Sequence, residues 1–130
     1  MTPEAKQAEI WKAADTETVD AFLFEDPEVA RANRALWRRS GLRNSRAMDR
    51  ALSRRAVGQV PLRERLAGLD VPSLVLVGRH DRNVGVEQAS EVARLLPNAR
   101  LQVFERSAHF PDLEEPEEFL RVLTPFLTGA

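Results

Sequence analysis

The chain contains no cysteine and only two histidines among its 130 residues. Disulfide bonds and thiolate metal sites are therefore excluded, and a reducing compartment is natural. The two histidines and the scattered carboxylates show no metal-ligand spacing. We expect neither a metal nor any other cofactor.

The chain also lacks an excess of charge and a long apolar run. Its net charge is −1, so no overall field favours nucleic acid or an acidic partner. The arginines between residues 31 and 65 are interpreted as the solvated faces of helices. No stretch approaches the roughly 20 apolar residues of a membrane helix, and Met1 to Lys6 show no signal-peptide pattern. These absences predict a cytoplasmic protein without a nucleic-acid or membrane partner.

The first half of the chain is rich in helix formers. Its apolar periodicity predicts helices over residues 4–15, 16–24, 27–39 and 45–55. The third has the clearest boundaries, with Asp26 as N-cap, Pro27 in the first turn and Gly41 as terminator. Its buried stripe is predicted to contain Val29, Ala32, Leu36 and Ala35.

The second half has the pattern of an α/β unit. The continuous apolar run from Ser73 to Val77, closed by Gly78, is typical of a strand covered on both faces in a parallel sheet. A helix is predicted from Val86 to Leu96 and a second strand from Leu101 to Phe104. The roughly two dozen residues between the strands suit a parallel crossover. A last helix begins near Pro116.

Two chemically active side chains follow the two predicted strands. Asp81 comes after the first strand and His109 after the second, and the carboxyl ends of parallel strands share one edge of a sheet. An imidazole there can accept a proton from a hydroxyl nucleophile, while a carboxylate fixes its tautomer. The alternatives are a structural histidine and an aspartate that only shapes a turn. His80 is a rival base, but it adjoins Asp81 and is expected to point away.

The segment V-P-S-L-V-L-V-G-R-H-D resembles the strand-and-acid segment of the α/β-hydrolases, and S-A-H-F-P-D-L-E-E-P resembles their histidine segment. The resemblance covers residues 69–128 and is closest to the proline iminopeptidase branch. It implies an α/β fold: a helical cap at residues 1–68, then a β-α-β-α part of a parallel α/β-hydrolase core at residues 69–130. It also implies that Asp81 is the acid and His109 the base of a catalytic triad.

The chain departs from the family pattern in two places. Ala108 stands where the family has glycine before its histidine. More seriously, no G-x-S-x-G nucleophile elbow and no earlier His-Gly loop occur in the sequence, and Ser107 is expected to form only loop hydrogen bonds. The resemblance therefore implies the C-terminal portion of a serine hydrolase of ester, amide or peptide bonds. Alone, this portion is expected to be inactive, with a small-molecule or peptide substrate only when an N-terminal half completes it.

Two other interpretations remain open. One is a noncatalytic interaction module derived from the hydrolase scaffold, and the other is a small enzyme with a different nucleophile or a metal. Two parallel strands also leave an open sheet edge. For this reason we expect a complementing chain or a homodimer at that edge, or else a chain that is only marginally stable alone.

Overall fold

The structure, a computed structural model, describes residues 13–41 and 62–129. Helices α1 (Thr16–Leu23) and α2 (Pro27–Ser40) come first, and the short helix α3 (Leu62–Ala67) leads into the second half. There follow β1 (Ser73–Gly78), α4 (Gly85–Leu95), β2 (Ala99–Phe104), α5 (Pro111–Glu114) and α6 (Pro116–Thr128). The predicted β-α-β-α order is confirmed, with α5 as an unpredicted extra turn.

Two of the predicted helices lie mostly or wholly outside the residues that the structure describes. The helix predicted for residues 4–15 lies almost wholly outside the described residues, and the helix predicted for residues 45–55 lies wholly outside them. In the part that the structure describes, no helix is long and apolar enough to cross a membrane.

Local capping signals set the boundaries of α1 and α2. The Asp15 carboxylate accepts a hydrogen bond from the Thr18 N–H at 2.8 Å, and the Asp26 carboxylate accepts one from the Glu28 N–H at 2.8 Å. Gly41 ends α2 in the left-handed conformation, with φ of 64°. Because these signals act within a few residues, the sequence predicted both helices closely.

The predicted buried stripe of α2 is wrong. Ala30 is the buried residue, at 2% exposure, whereas Leu36 is 59% exposed and Ala32 and Ala35 are also exposed; Val29 is half-buried. Arg34, one turn beyond Ala30, forms an ion pair with Asp20 of α1. The stripe that faces α1 is therefore the one containing Ala30 and Arg34. Helical spacing defines the stripes, but the neighbouring helix decides which of them is buried.

The two strands pair in parallel, from Ser73 opposite Ala99 to Gly78 opposite Phe104. Side chains alternate across a strand, so the two faces are distinct. On one face Val75 and Val77 line a small cavity with residues of α4. On the other face Phe104 contacts Phe119 of α6, with ring centroids 5.9 Å apart. Helices thus cover both faces, as predicted for a parallel sheet.

The loop after β2 lies directly against the end of β1. The Arg79 N–H donates to the Phe104 carbonyl at 2.7 Å, and the His80 N–H donates to the Ser107 carbonyl at 3.0 Å. A Cβ at Gly78 would lie 1.9 Å from the Ala108 carbonyl oxygen. Only glycine therefore allows the two loops to approach this closely.

Candidate active site

Asp81 and His109 contact each other at the carboxyl end of the sheet. They are 28 positions apart in the chain, yet the Nδ1 atom of His109 lies 3.0 Å from the Oδ2 atom of Asp81. The Asp81 side chain is 6% exposed and the His109 side chain is 28% exposed. The predicted proximity of these two residues is confirmed.

Asp81 shapes its own turn at the same time as it contacts His109. Its Oδ1 atom accepts hydrogen bonds from the Asn83 N–H at 2.8 Å and the Val84 N–H at 3.0 Å. Burial alone would raise the pKa of Asp81, but the hydrogen bonds from Val84, His109 and Asn83 outweigh it, so the pKa lies below its usual value. The carboxylate is therefore ionised at neutral pH. Asp81 therefore accepts hydrogen bonds within its own turn and also contacts the Nδ1 atom of His109.

The ionised carboxylate sets the tautomer of His109. A carboxylate only accepts hydrogen bonds, so the proton between the two groups belongs to Nδ1 of the imidazole. Nε2 of the neutral ring is then an acceptor. The amide nitrogen of Asn83 lies 3.5 Å from Nε2, at the outer limit of a hydrogen bond. Nε2 is thus available to accept a proton from a hydroxyl group.

His109 and the residue after it, Phe110, both contact the corner between α1 and α2. We define this corner, residues 23–26, as the α1–α2 corner. The His109 N–H donates to the Leu23 carbonyl at 2.9 Å. The next residue, Phe110, stacks on the buried Phe24 with ring centroids 4.9 Å apart. The α1–α2 corner therefore packs against residues 105–110, the loop after β2 that contains His109, which we call the histidine loop.

Two adjacent glutamates support the histidine loop, and sequence reasoning did not assign them a role. Glu115 is buried; its carboxylate accepts hydrogen bonds from the Arg106 N–H at 3.0 Å and from the Ser107 hydroxyl. Glu114 accepts a hydrogen bond from the Ala108 N–H at 2.7 Å. The signal in the sequence was the acidic pair that follows the histidine by five and six positions. The expectation that Ser107 forms loop hydrogen bonds is confirmed.

The other candidate groups lie away from Nε2. The Nε2 atom of His80 lies 3.2 Å from the Glu105 carbonyl oxygen, on the exposed side of the loop. Each serine within residues 13–41 and 62–129 donates its hydroxyl to another acceptor: Ser40 to Trp37, Ser73 to Val71, Ser90 to Val86 and Ser107 to Glu115. Among these same residues, no cluster of histidine and carboxylate side chains has the arrangement of a metal site.

Two cavities lie near the pair. One of about 210 Å³ is lined by Asp81, His109 and apolar residues of β1 and α4. A larger one of about 530 Å³ lies between α1 and α2, and His109 does not line it. The arginines that line the larger cavity are ion-paired, among them Arg34 with Asp20 and Arg82 with Glu25. The smaller cavity is therefore the one that belongs to the candidate active site.

The amino-acid sequence of the chain is similar to those of known proteins. No family model matches the chain. The chain is 41% identical over 64 residues to the proline iminopeptidase of Heyndrickxia coagulans, which covers 49% of this chain and 22% of that protein. It is 32% identical over 115 residues to the pimeloyl-[acyl-carrier protein] methyl ester esterase of Photobacterium profundum, covering 85% of this chain and 45% of that protein.

The fold of the chain is similar to that of a solved structure. An alpha/beta fold family hydrolase from Bacillus anthracis superposes with a TM-score of 0.58 at 22% identity, over 96% of this chain and 42% of that chain. The chain belongs to the α/β-hydrolase superfamily. The family predicted from residues 69–128 is thereby confirmed. This α/β-hydrolase chain spans less than half the length of each of the three proteins.

Proposed function

We propose that this chain forms the C-terminal portion of an α/β-fold serine hydrolase of ester, amide or peptide bonds. In this proposal Asp81 is the acid and His109 the base of a Ser-His-Asp triad. Residues 1–68 are the cap and residues 69–130 belong to the core. The single observation that carries the proposal is the 3.0 Å contact between His109 Nδ1 and Asp81 Oδ2.

The chemistry follows from the tautomer of His109. A serine of the complementing N-terminal half gives its proton to Nε2 as its oxygen attacks the carbonyl carbon of the substrate. Asp81 stabilises the imidazolium, which then returns the proton to the leaving group. Water repeats the sequence on the acyl-enzyme, with Nε2 again accepting a proton, and releases the acid product. This chain supplies the base and its orienting carboxylate, and the N-terminal half supplies the nucleophile and the oxyanion hole.

The open edge of β1 is the proposed contact with the N-terminal half of the hydrolase. The Ser73 and Arg79 N–H groups point to β2, so alternation turns the backbone groups of residues 74, 76 and 78 to the other side. Within the described residues the sheet has only two strands, and β1 has no second neighbour. The 210 Å³ cavity beside β1 offers apolar side chains to an incoming segment. These features favour a complementing half, supplied in the same or in another polypeptide.

A hybrid enzyme tests the proposal. The N-terminal part of the Photobacterium profundum esterase, which this chain does not match, is joined to this chain, and hydrolysis of a p-nitrophenyl ester is followed. We expect turnover by the hybrid. Asp81→Asn is expected to lower kcat by about 10⁴-fold, the loss seen when the triad imidazole is held in the wrong tautomer. His109→Ala is expected to lower kcat by about 10⁶-fold, the loss seen when a triad loses its base.

The adjacent histidine supplies the matched control. His80→Ala removes an exposed imidazole whose Nε2 atom contacts the Glu105 carbonyl oxygen, so kcat should be unchanged. Turnover that survives His109→Ala would contradict the assigned role. A folded hybrid without any turnover would favour the noncatalytic interaction module instead. Sequencing upstream of Met1 adds an independent test, since a G-x-S-x-G segment there supports the hydrolase.

A further inference from the structure

Glu114 joins the histidine loop to the α1–α2 corner through one carboxylate. Its Oε2 atom accepts a hydrogen bond from the Ala108 N–H at 2.7 Å. Its Oε1 atom accepts hydrogen bonds from the Glu25 N–H at 2.7 Å and the Asp26 N–H at 2.9 Å. Glu25 and Asp26 lie 89 and 88 positions before Glu114 in the chain. Three backbone donors from two distant segments thus share one acceptor group.

The three consecutive residues around the imidazole are all tied to the same corner. Ala108 reaches it through Glu114, His109 donates its N–H to the Leu23 carbonyl, and Phe110 stacks on Phe24. The turn α5 places Glu114 for this role, because the Glu114 N–H donates to the Phe110 carbonyl at 3.0 Å. Hydrogen bonds from Ala108 to Glu114 and from Glu114 to Phe110 therefore hold the segment of residues 108–114, which contains His109, in one conformation.

We propose that Glu114 is a positioning residue for His109, which makes the orientation of the imidazole depend on the α1–α2 corner. Hydrogen bonds to an ionised acceptor are stronger than neutral ones, so the carboxylate is a firm link between the two segments. A displacement of α1 or α2, such as a substrate under the cap would cause, is transmitted to the histidine through this link. The catalytic meaning of this link rests on the proposed hydrolase function, but the link itself does not.

Glu114→Gln provides the test, because an amide has one oxygen and one nitrogen where the carboxylate has two acceptors. In either orientation the NH₂ group faces N–H donors, and that side of the link is lost. Proton NMR of the imidazole Nδ1–H and backbone amide exchange are measured on the purified chain. We expect exchange at Ala108, or at Glu25 and Asp26, to rise by at least about tenfold. The His109 Nδ1–H should exchange about tenfold faster as well, while the amides of β1 and β2 keep their rates.

Glu117→Gln is the matched control, since it makes the same chemical change at an exposed position one turn away. It should leave all of these rates unchanged. An unchanged exchange rate of the His109 Nδ1–H in Glu114→Gln would overturn the proposal. A uniform rise in exchange at every amide would overturn it as well, because it would indicate only a loss of global stability.

If Glu114→Gln does not fold, Glu114→Asp carries the same test, because its shorter side chain keeps the charge but cannot span both segments. The measurement needs no nucleophile. Failure of the hybrid enzyme and failure of this link are therefore distinguishable.

Discussion

Replacing Gly78 with alanine places a methyl group where the histidine loop already lies. The new Cβ would lie 1.9 Å from the Ala108 carbonyl oxygen and 2.3 Å from that of Ser107. Ordinary contact begins at 3.4 Å, so the nearer carbonyl must retreat by about 1.5 Å. Ala108 and Ser107 are fully buried, and this backbone has no space into which it can retreat without breaking contacts.

The cost has two parts. Overpacking a well-packed site costs about 1–3 kcal/mol. The Ser107 carbonyl, at 2.3 Å from the new Cβ, must also move away. This movement breaks the 3.0 Å hydrogen bond that it accepts from the His80 N–H, and a buried group left unpaired costs about 1–3 kcal/mol more. We therefore expect Gly78→Ala to lower the free energy of unfolding by about 3 kcal/mol or more. This is a large share of the roughly 5–15 kcal/mol typical of a domain.

Urea unfolding followed by tryptophan fluorescence measures this loss. With a slope of about 1–3 kcal/mol per molar urea, the midpoint should fall by at least about 1 M. Gly68→Ala is the control, because its nearest atom would be the Arg65 carbonyl oxygen at 3.9 Å. If the Gly78→Ala midpoint stays within error of the wild-type and Gly68→Ala values, the close approach of the two loops is wrong.

Two further predictions concern buried carboxylates. Glu115→Ala leaves the Arg106 N–H and a buried hydroxyl without their acceptor, so it should cost about 2–4 kcal/mol of unfolding free energy in urea. The exposed Glu117→Ala should cost under about 0.5 kcal/mol, and equal losses would refute this role of Glu115. Asp81 has a lowered pKa in the folded state, so its contribution to stability is present above the unfolded pKa of about 3.9 and is lost as the pH falls below it. Asp81→Asn should therefore lose less stability than wild type between about pH 5 and pH 2, and parallel curves would contradict this.

The strand and helix signals that acted locally were predictable from the sequence. The N-cap at Asp26 and the terminator at Gly41 lie beside the helix they bound, and the structure confirms both. The valine-rich run that ends at Gly78 identified β1 because a strand covered on both faces has no polar alternation. The proximity of Asp81 to His109 was also predictable, since parallel strands bring their carboxyl ends to one edge.

Features that depend on distant segments were not predictable in the same way. The buried stripe of α2 depends on the position of α1, and the sequence pattern selected the stripe of Leu36, which is 59% exposed, instead of that of Ala30. The turn α5 has four residues and is too short for a periodic pattern. The role of Glu114 requires knowledge that residues 25 and 26 lie beside residue 108. No local signal carries that information.

Covalent labelling with a fluorophosphonate tests the central claim most directly, because this probe reacts only with a serine activated by a neighbouring base. The account predicts no labelling of the chain alone. It predicts labelling of the hybrid with the Photobacterium profundum half, and loss of that labelling in His109→Ala but not in His80→Ala. Labelling of the chain alone that disappears in His109→Ala would contradict the account, since the nucleophile would then lie within these 130 residues.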